Sequence, residues 1–140
     1  MNIVGSECTL RNRGSAVLIE KDKVAVIKRN RDDEEYYVFP GGGIEDGESP
    51  EQATIREALE ELGVHIEVID YLGTVEFNGK QHYFLAKIVG GIFGTGKGEE
   101  YEESRKRGQY EPMWIPISKL SLLDVRPMEI VKSIYERMEI

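Results

Sequence analysis

The chain lacks the features that mark secreted and membrane proteins. Cys8 is its one cysteine, so an internal disulfide is excluded, and no second cysteine or nearby histidine is available for a zinc site. No apolar run approaches the roughly 18 residues of a membrane span, and the start, MNIVGSECTLRNRG, lacks the apolar core of a signal peptide. The sequence therefore predicts a cytoplasmic protein that does not bind membranes.

The chain also has fewer basic than acidic residues. It contains 18 Lys and Arg residues and 26 Asp and Glu residues, which give a net charge of -8 that repels duplex nucleic acid and anionic membranes. A small-molecule partner is therefore expected, and a phosphate-bearing one would need a metal ion to reconcile the two negative charges. A length of 140 residues, 40% of them hydrophobic, predicts one globular domain over residues 1–140.

Short β-branched and aromatic runs mark six segments as strand-forming. The predicted strands span residues 14–20, 23–29, 36–39, 64–76, 81–89 and 112–117, the run 64–76 holding one strand or two. Lys21 and Asp22 separate the first two, and Asn78-Gly79 is a turn signal before the run 81–89, so two β-hairpins are expected.

Pro40 and three glycines are predicted to end the third strand abruptly. The charged residues 29–35 are predicted as a loop, and the glycine-rich, acidic residues 90–108 as a flap over a site.

Two helices are predicted, the first with clear end signals. Ser49 can cap it, Pro50 suits its first position, and Gln52 completes a capping box with Ser49, so a helix over 50–62 is expected to end at Gly63. A C-terminal helix is predicted over 126–138, with Pro127 in its first turn. Its expected buried side comprises Ile130, Val131, Ile134 and Met138. Strands and helices in this order predict an α/β domain with a mixed sheet.

The first helix is unusually acidic. Residues three and four apart are neighbours on a helix, so Glu57, Glu60 and Glu61 share one face. The opposite arc carries Ile55, Ala58, Leu59 and Leu62, and we expect that arc to pack on the sheet while the carboxylates point away from it. Like charges at this spacing destabilise a helix, so a positive partner is expected.

Two interpretations of this acidic face differ in function. In the first, it is a solvated surface on which Arg56 and Glu60 form an ordinary i,i+4 ion pair. In the second, its carboxylates bind Mg²⁺ or Mn²⁺, which prefer hard oxygen ligands. The preceding glycines, residues 41–43, favour the second interpretation, because they let the backbone come close to a metal or a phosphate.

The spacing of these residues resembles the Nudix box, G-x5-E-x7-R-E-U-x-E-E-x-G-U, in which U is a bulky aliphatic residue. The matching residues are Gly42, Glu48, Arg56, Glu57, Glu60, Glu61, Gly63 and Val64. Ala58 departs from the pattern at a U position, which affects the packing side rather than the carboxylates. The resemblance implies a Nudix-type α/β/α sandwich, with a mixed β-sheet between helices, that hydrolyses nucleoside diphosphates linked to another moiety by means of Mg²⁺ or Mn²⁺.

The resemblance also implies roles for the motif residues. Glu57 and Glu61 match the principal metal ligands, and Glu60 matches an additional ligand. Gly42, or its neighbour Gly41, matches a backbone carbonyl ligand. Arg56 matches the arginine that orients the glutamates. Its structural partner is Glu48, and Gly63 is the structural glycine of the box.

The implied reaction is attack of water on phosphorus, with divalent ions neutralising the substrate's charge. Glu57 or Glu60 is a candidate for the group that takes the proton, with Arg56 in support. A glutamate from the flap is the alternative, since family members differ in supplying the base. The flap candidates are Glu99, Glu100, Glu102 and Glu103.

Several residues are candidates for substrate binding. The candidates for holding phosphates are Arg29, Arg31, Gly41, Gly43, Arg105 and Arg107. Tyr37, Phe39 and Tyr110 can stack on a base or sugar, or belong to the core. Trp114 is predicted to be core. No ligand or triad spacing surrounds His65 and His82.

Two functions follow from the resemblance. The first is a pyrophosphohydrolase acting on a nucleoside triphosphate or a nucleoside diphosphate linked to another moiety, and the alternative is a Nudix-fold nucleotide sensor without turnover. Family members that sanitise oxidised purines read them partly through an asparagine near the C-terminal helix, and no asparagine follows Asn78. The choice among 8-oxo-dGTP, ADP-ribose and dinucleoside polyphosphates stays open, as does the choice between monomer and homodimer.

Overall fold

The computed structural model describes residues 11–96 and 109–138. The strands are β1 (Arg13–Glu20), β2 (Lys23–Arg31), β3 (Glu34–Val38), β4 (Gly41–Gly43), β5 (Val64–Glu76), β6 (Lys80–Gly91), β7 (Gln109–Pro116) and β8 (Val125–Arg126). The helices are α1 (Pro50–Leu62), α2 (Met128–Met138) and a 3-10 helix, Ile117–Leu122. Cys8 and the flap candidates Glu99, Glu100, Glu102, Glu103, Arg105 and Arg107 lie outside the described residues.

The strands form one mixed sheet in the order β5-β6-β1-β2-β3-β8, with β4 paired to β1 and β7 paired to β2. The pairs β1–β6 and β3–β8 are parallel, and the others are antiparallel. Both predicted hairpins are present, and Asn78 and Gly79 adopt positive φ between β5 and β6. The predicted mixed sheet is therefore confirmed.

Helices cover both faces of this sheet. In β1, Ala16 and Leu18 belong to a cluster that includes Ala58 of α1, whereas Val17 belongs to a second cluster that includes Ile130 of α2. Successive side chains of a strand point to opposite faces, so a strand between two helical layers is buried along its whole apolar run. This is the predicted α/β/α sandwich.

The predicted ends of α1 are confirmed. Ser49 Oγ accepts a hydrogen bond from the Gln52 amide at 3.0 Å, and the Gln52 side chain accepts one from the Ser49 amide at 2.9 Å. Gly63 ends the helix at φ 79°, in the left-handed region that favours glycine. The capping box and the C-terminal glycine thus define the helix that carries the acidic motif.

The segments before and after the third strand are more regular than the sequence predicted. Residues 41–43 form β4, which pairs antiparallel with β1, rather than a turn. A Cβ atom at Gly41 would lie 2.4 Å from the carbonyl oxygen of Gly14, so this close pairing requires glycine. The charged residues 29–35 mostly continue β2 and β3, and only Asp32 and Asp33 form the turn, both at positive φ.

The C-terminal region also differs in part from prediction. Arg126 belongs to β8 instead of the last helix, which begins at Met128. Ile130 and its buried neighbours pack as predicted, but Met138, in the final turn, is 40% exposed. In the parts of the chain that the structure covers, no helix has the length and apolar character that crossing a membrane would require.

The aromatic candidates for stacking divide between the two faces. Tyr37 and Phe39 are buried on the α2 side of the sheet, which agrees with the core interpretation. Tyr110 is half-buried on the α1 side. Trp114, predicted as core, is also only half-buried, and its ring centroid lies 4.9 Å from that of Phe93.

Candidate active site

The acidic helix does not present its three glutamates to solvent. The buried residues of α1 are Ala53, Thr54, Glu57, Ala58, Glu61 and Leu62. Glu57 is 6% exposed and Glu61 is 1% exposed, whereas Leu59 is 43% exposed. The prediction that all the carboxylates point away from the sheet, with Leu59 packed against it, is therefore wrong. Of the three glutamates, only Glu60 has a solvent-accessible side chain, which is 43% exposed.

Two glycines explain how carboxylates come to be buried against the sheet. Gly14 of β1 and Gly42 of β4 are cross-strand neighbours that face α1. A Cβ atom at Gly14 would lie 2.5 Å from Thr54 Oγ1, and one at Gly42 would lie 2.2 Å from Glu57 Cδ. Because no side chain separates the helix from the sheet here, the Glu57 carboxylate packs directly on the β4 backbone.

Arg56 joins the carboxylates to the glycine strand. Its Nε and Nη2 donate to the two oxygens of Glu48 at 2.7 and 3.0 Å, a bidentate pair. Its Nη1 donates to Glu57 Oε2 at 3.0 Å and lies 3.3 Å from Glu60 Oε1. Its Nη2 also donates to the carbonyl of Gly43 at 2.9 Å. One guanidinium thus sets the positions of three carboxylates and of β4.

This network perturbs the ionisation of its members. The hydrogen bonds from Arg56, followed by the one from the Glu45 amide, lower the pKa of Glu48 to about 2. The hydrogen bonds to Glu48 raise the pKa of Arg56 above its ordinary value. Both groups are therefore charged at neutral pH, and Arg56 itself supplies positive charge to the acidic helix.

Glu61 is held by β4 and β7. The amide of Gly41 donates to Glu61 Oε1 at 2.6 Å, and the hydroxyl of Tyr110 donates to Glu61 Oε2. Arg13 Nη2 donates to the carbonyl of Gly41 at 3.2 Å. Sequence reasoning missed Arg13 because no local motif marks it, and only the β1–β4 register brings it beside the glycines.

The predicted substrate arginines of β2 occupy different positions. Arg29 pairs with Tyr110 of β7, and its Cζ lies 4.5 Å from the centroid of the Tyr110 ring, so it lies close to Glu61. Arg31 lies two residues further along β2, at its exposed end, where its Nε is 4.0 Å from an oxygen of Asp32. The structure therefore places Arg29, rather than Arg31, against the tyrosine whose hydroxyl contacts Glu61 of α1.

The segment after β6 docks on the C-terminal end of α1. The amides of Gly94 and Thr95 donate to the carbonyl of Leu62 at 2.9 and 3.2 Å. A Cβ atom at Gly96 would lie 2.0 Å from the carbonyl oxygen of Glu61, so the backbone of the segment lies directly on the helix end. Both donors satisfy the Leu62 carbonyl, one of those that a helix terminus leaves unpaired. The sequence predicted a flap here but not this contact.

The residues at this site fit a hard divalent cation by their chemistry. Glu57 and Glu61 lie one turn apart on α1, and carboxylate and carbonyl oxygens are the ligands that Mg²⁺ and Mn²⁺ prefer. Within residues 11–96 and 109–138, no three His, Cys, Asp or Glu side chains are arranged as a ready set of metal ligands. The carboxylates instead accept hydrogen bonds from Arg56, Gly41 and Tyr110.

Comparison with known proteins identifies the family. The chain matches the NUDIX domain over residues 10–133, and it therefore belongs to the Nudix family, as the box predicted.

Two curated relatives share part of this sequence. A putative 8-oxo-dGTP diphosphatase of Bacillus subtilis (strain 168) is 36% identical over 78 residues, which cover 54% of this chain and 51% of the relative. An RNA pyrophosphohydrolase of Wolbachia sp. subsp. Drosophila simulans (strain wRi) is 33% identical over 92 residues, which cover 53% of this chain and 57% of the relative. The chain spans about half the length of these curated relatives.

Solved structures share the fold at low sequence identity. A NUDIX hydrolase from Nitrosomonas europaea has a TM-score of 0.72 at 20% identity, with 92% of this chain and 88% of that chain covered. A MutT structure from work on Aliivibrio salmonicida and Vibrio cholerae has a TM-score of 0.64 at 22% identity, with 91% and 99% covered. These similarities confirm the predicted fold class.

Proposed function

We propose that the chain is a single Nudix domain acting as a Mg²⁺- or Mn²⁺-dependent pyrophosphohydrolase. The observation that carries the proposal is the burial of Glu57 and Glu61 against a glycine strand. Burying carboxylates is costly unless charge and hydrogen bonds compensate. A site that keeps two of them beside an arginine and backbone polar groups is well suited to a divalent cation.

Glu57, Glu60 and Glu61 are the side chains that would hold the metal, together with one carbonyl of β4. Gly42 lies opposite Gly14 in the β1–β4 ladder, whereas the Gly41 amide donates to Glu61 instead of to β1. Hydrogen-bonded and non-hydrogen-bonded pairs alternate along an antiparallel ladder, so the Gly42 carbonyl points toward β1 and the Gly41 carbonyl points away from it. This favours Gly41 over Gly42 as the carbonyl ligand.

The bound cation would neutralise charge on the diphosphate and lower the pKa of a water molecule. In the proposed reaction the water oxygen bonds to phosphorus, the bond from phosphorus to the bridging oxygen breaks, and a carboxylate takes the water's proton. Among the described residues Glu60 is the better candidate for this base, since its side chain is accessible while Glu57 is buried. Arg56 positions both glutamates.

The proposed substrate is a nucleoside triphosphate or a nucleoside diphosphate linked to another moiety. The names of the two curated relatives, an 8-oxo-dGTP diphosphatase and an RNA pyrophosphohydrolase, support this class. Arg29 is proposed to bind a substrate phosphate, because it is the arginine of β2 that lies near Glu61.

The first prediction tests hydrolysis with a panel of nucleotides and Mg²⁺, assayed with and without added phosphatase so that pyrophosphate and monophosphate release can be told apart. Glu57→Gln is expected to lower the rate by more than about 100-fold, because losing even an outer-shell partner of a metal ligand costs about 10- to 100-fold. Glu51→Gln is the matched control, since Glu51 is an exposed residue of the same helix.

Two outcomes would contradict the proposal. If Glu57→Gln and Glu51→Gln have equal effects on rate and on Mn²⁺ affinity, the buried glutamates of α1 do not bind the metal. If the protein binds one nucleotide of the panel but releases neither pyrophosphate nor phosphate from any, the chain is the nucleotide sensor.

A further inference from the structure

Tyr110 touches two parts of the site that lie on different elements. Its hydroxyl donates to Glu61 Oε2 on α1, and its ring lies under the guanidinium of Arg29 on β2. Arg29 and Tyr110 are direct partners in the β2–β7 register, so both side chains point to the α1 face of the sheet. The Nudix box does not include this tyrosine, which lies 46 residues after its last position, Val64.

The Glu61 carboxylate is oriented through both of its oxygens. Gly41 donates to Oε1 and Tyr110 donates to Oε2. The two donors approach different oxygens, so together they fix the plane of the carboxylate. Glu61 is almost fully buried, and water therefore cannot easily replace the tyrosine donor.

The contact with Arg29 adds an electrostatic link. A guanidinium over an aromatic face is attracted to the ring's electron density, and it withdraws density from the phenol. This makes the Tyr110 hydroxyl a stronger donor to Glu61. Conversely, a phosphate that draws Arg29 away from the ring would weaken the hydrogen bond to Glu61.

We propose that Tyr110 is a positioning residue that orients Glu61 for the divalent cation and couples this carboxylate to Arg29, so that binding of cation and binding of phosphate influence each other. The inference rests on the proposed function, because it assigns to Tyr110 a role in that same site. It adds a link between the metal-binding helix and the phosphate-binding strand.

The second prediction tests this role with Tyr110→Phe, which removes the hydroxyl and keeps the ring under Arg29. Its affinity for Mn²⁺ alone, measured by titration calorimetry without nucleotide, is expected to fall about 10- to 100-fold, as for other partners that orient metal ligands. The rate constant kcat should fall while KM changes little, because Arg29 remains in place. Tyr110→Leu, which also removes the ring, should raise KM as well.

Tyr36→Phe is the matched control. Tyr36 is the partner of Arg29 on the other side, in β3, and its ring lies 4.2 Å from the guanidinium carbon of Arg126. This variant removes the hydroxyl of a tyrosine that pairs with Arg29 in the sheet, and it should leave Mn²⁺ affinity unchanged. Thermal unfolding of all variants shows that the comparison is made between folded proteins.

A double-mutant cycle with Arg29→Gln measures the coupling. Arg29→Gln should change Mn²⁺ affinity in the wild-type background but not in the Tyr110→Phe background, since the hydroxyl carries the effect. Two outcomes would overturn the inference while leaving the proposed function intact. In one, Tyr110→Phe binds Mn²⁺ as tightly as wild type does. In the other, Arg29→Gln changes Mn²⁺ affinity equally in both backgrounds. Wild-type Mn²⁺ affinity in Glu61→Gln would instead overturn the proposed metal site.

Discussion

Arg56 is the residue on which the charges of the acidic helix converge. It contacts Glu48, Glu57 and Glu60 and also the carbonyl of Gly43. These three carboxylates, together with that of Glu45 at 3.9 Å, leave an excess of negative charge around one guanidinium, which a divalent cation would offset. The carboxylates that Arg56 holds in place therefore also account for the proposed affinity of the site for metal.

The third prediction concerns the pH dependence of stability. Since the pKa of Glu48 is lowered to about 2 from an ordinary value of 4.5, its ion pair stabilises the fold fully above about pH 4.5 and loses this contribution as the pH falls toward 2. The difference in free energy of unfolding between wild type and Glu48→Gln, measured by urea denaturation, should be constant near neutral pH and shrink across that range.

Glu51→Gln is again the control variant for the free energy of unfolding, because Glu51 is exposed on the helix whose Arg56 pairs with Glu48. A difference between wild type and Glu48→Gln that stays constant down to pH 2, or that grows as the pH falls, would contradict the assigned ion pair.

The contact between α1 and β4 depends on the absence of side chains. Gly14 and Gly42 let the helix approach the sheet, and the Glu57 carboxylate occupies the space where a Cβ atom of Gly42 would lie. Glycine is usually a poor strand residue because it packs nothing. Here glycine is needed because α1, which carries the glutamates, lies directly on these strands.

The fourth prediction follows from this packing. Gly42→Ala should displace the Glu57 carboxylate and reduce the free energy of unfolding by about 1–3 kcal/mol, the usual cost of overpacking a core. Mn²⁺ affinity should fall with it. Urea denaturation and calorimetry measure the two effects.

Gly90→Ala is the control for this change, because a Cβ atom there would lie 3.6 Å from its nearest neighbour, the His65 ring, which is an ordinary contact. Equal losses of stability and Mn²⁺ affinity in the two variants would show that the close helix–strand contact is not needed.

For the molecule as a whole, the proposed metal site links folding to cation binding. The site uses residues from β4, α1 and β7, which come together only in the folded sheet. A ligand that binds only the folded state stabilises it, by about 2.7 kcal/mol when its concentration is 100 times the dissociation constant. Cation binding should therefore stabilise the contacts among β4, α1 and β7, which are distant in sequence.

The fifth prediction is that Mg²⁺ or Mn²⁺ raises the melting temperature in a concentration-dependent manner, since binding favours the folded state. In Glu57→Gln and Glu61→Gln this rise should be strongly reduced. Differential scanning calorimetry with and without the metal measures it. A rise that is the same in wild type and both variants would place cation binding elsewhere in the protein.

Much of this architecture followed from local patterns. Ser49, Gln52 and Gly63 predicted the ends of α1, because capping depends on hydrogen bonds within a few residues. Asn78-Gly79 predicted the β5–β6 hairpin for the same reason. The box spacing predicted the family, since it is a linear pattern that can be recognised without knowledge of the fold.

Other features required the tertiary structure because they join residues that are distant in sequence. The burial of Glu57 and Glu61 was mispredicted, since a helical pattern ranks glutamates as polar and does not show that glycines of the sheet lie directly against them. Likewise, only strand register brings Arg13 to Gly41 and Tyr110 to Glu61. Local sequence was thus sufficient for the motif and its helix, whereas the geometry around the carboxylates came from long-range pairing, which has no local signature.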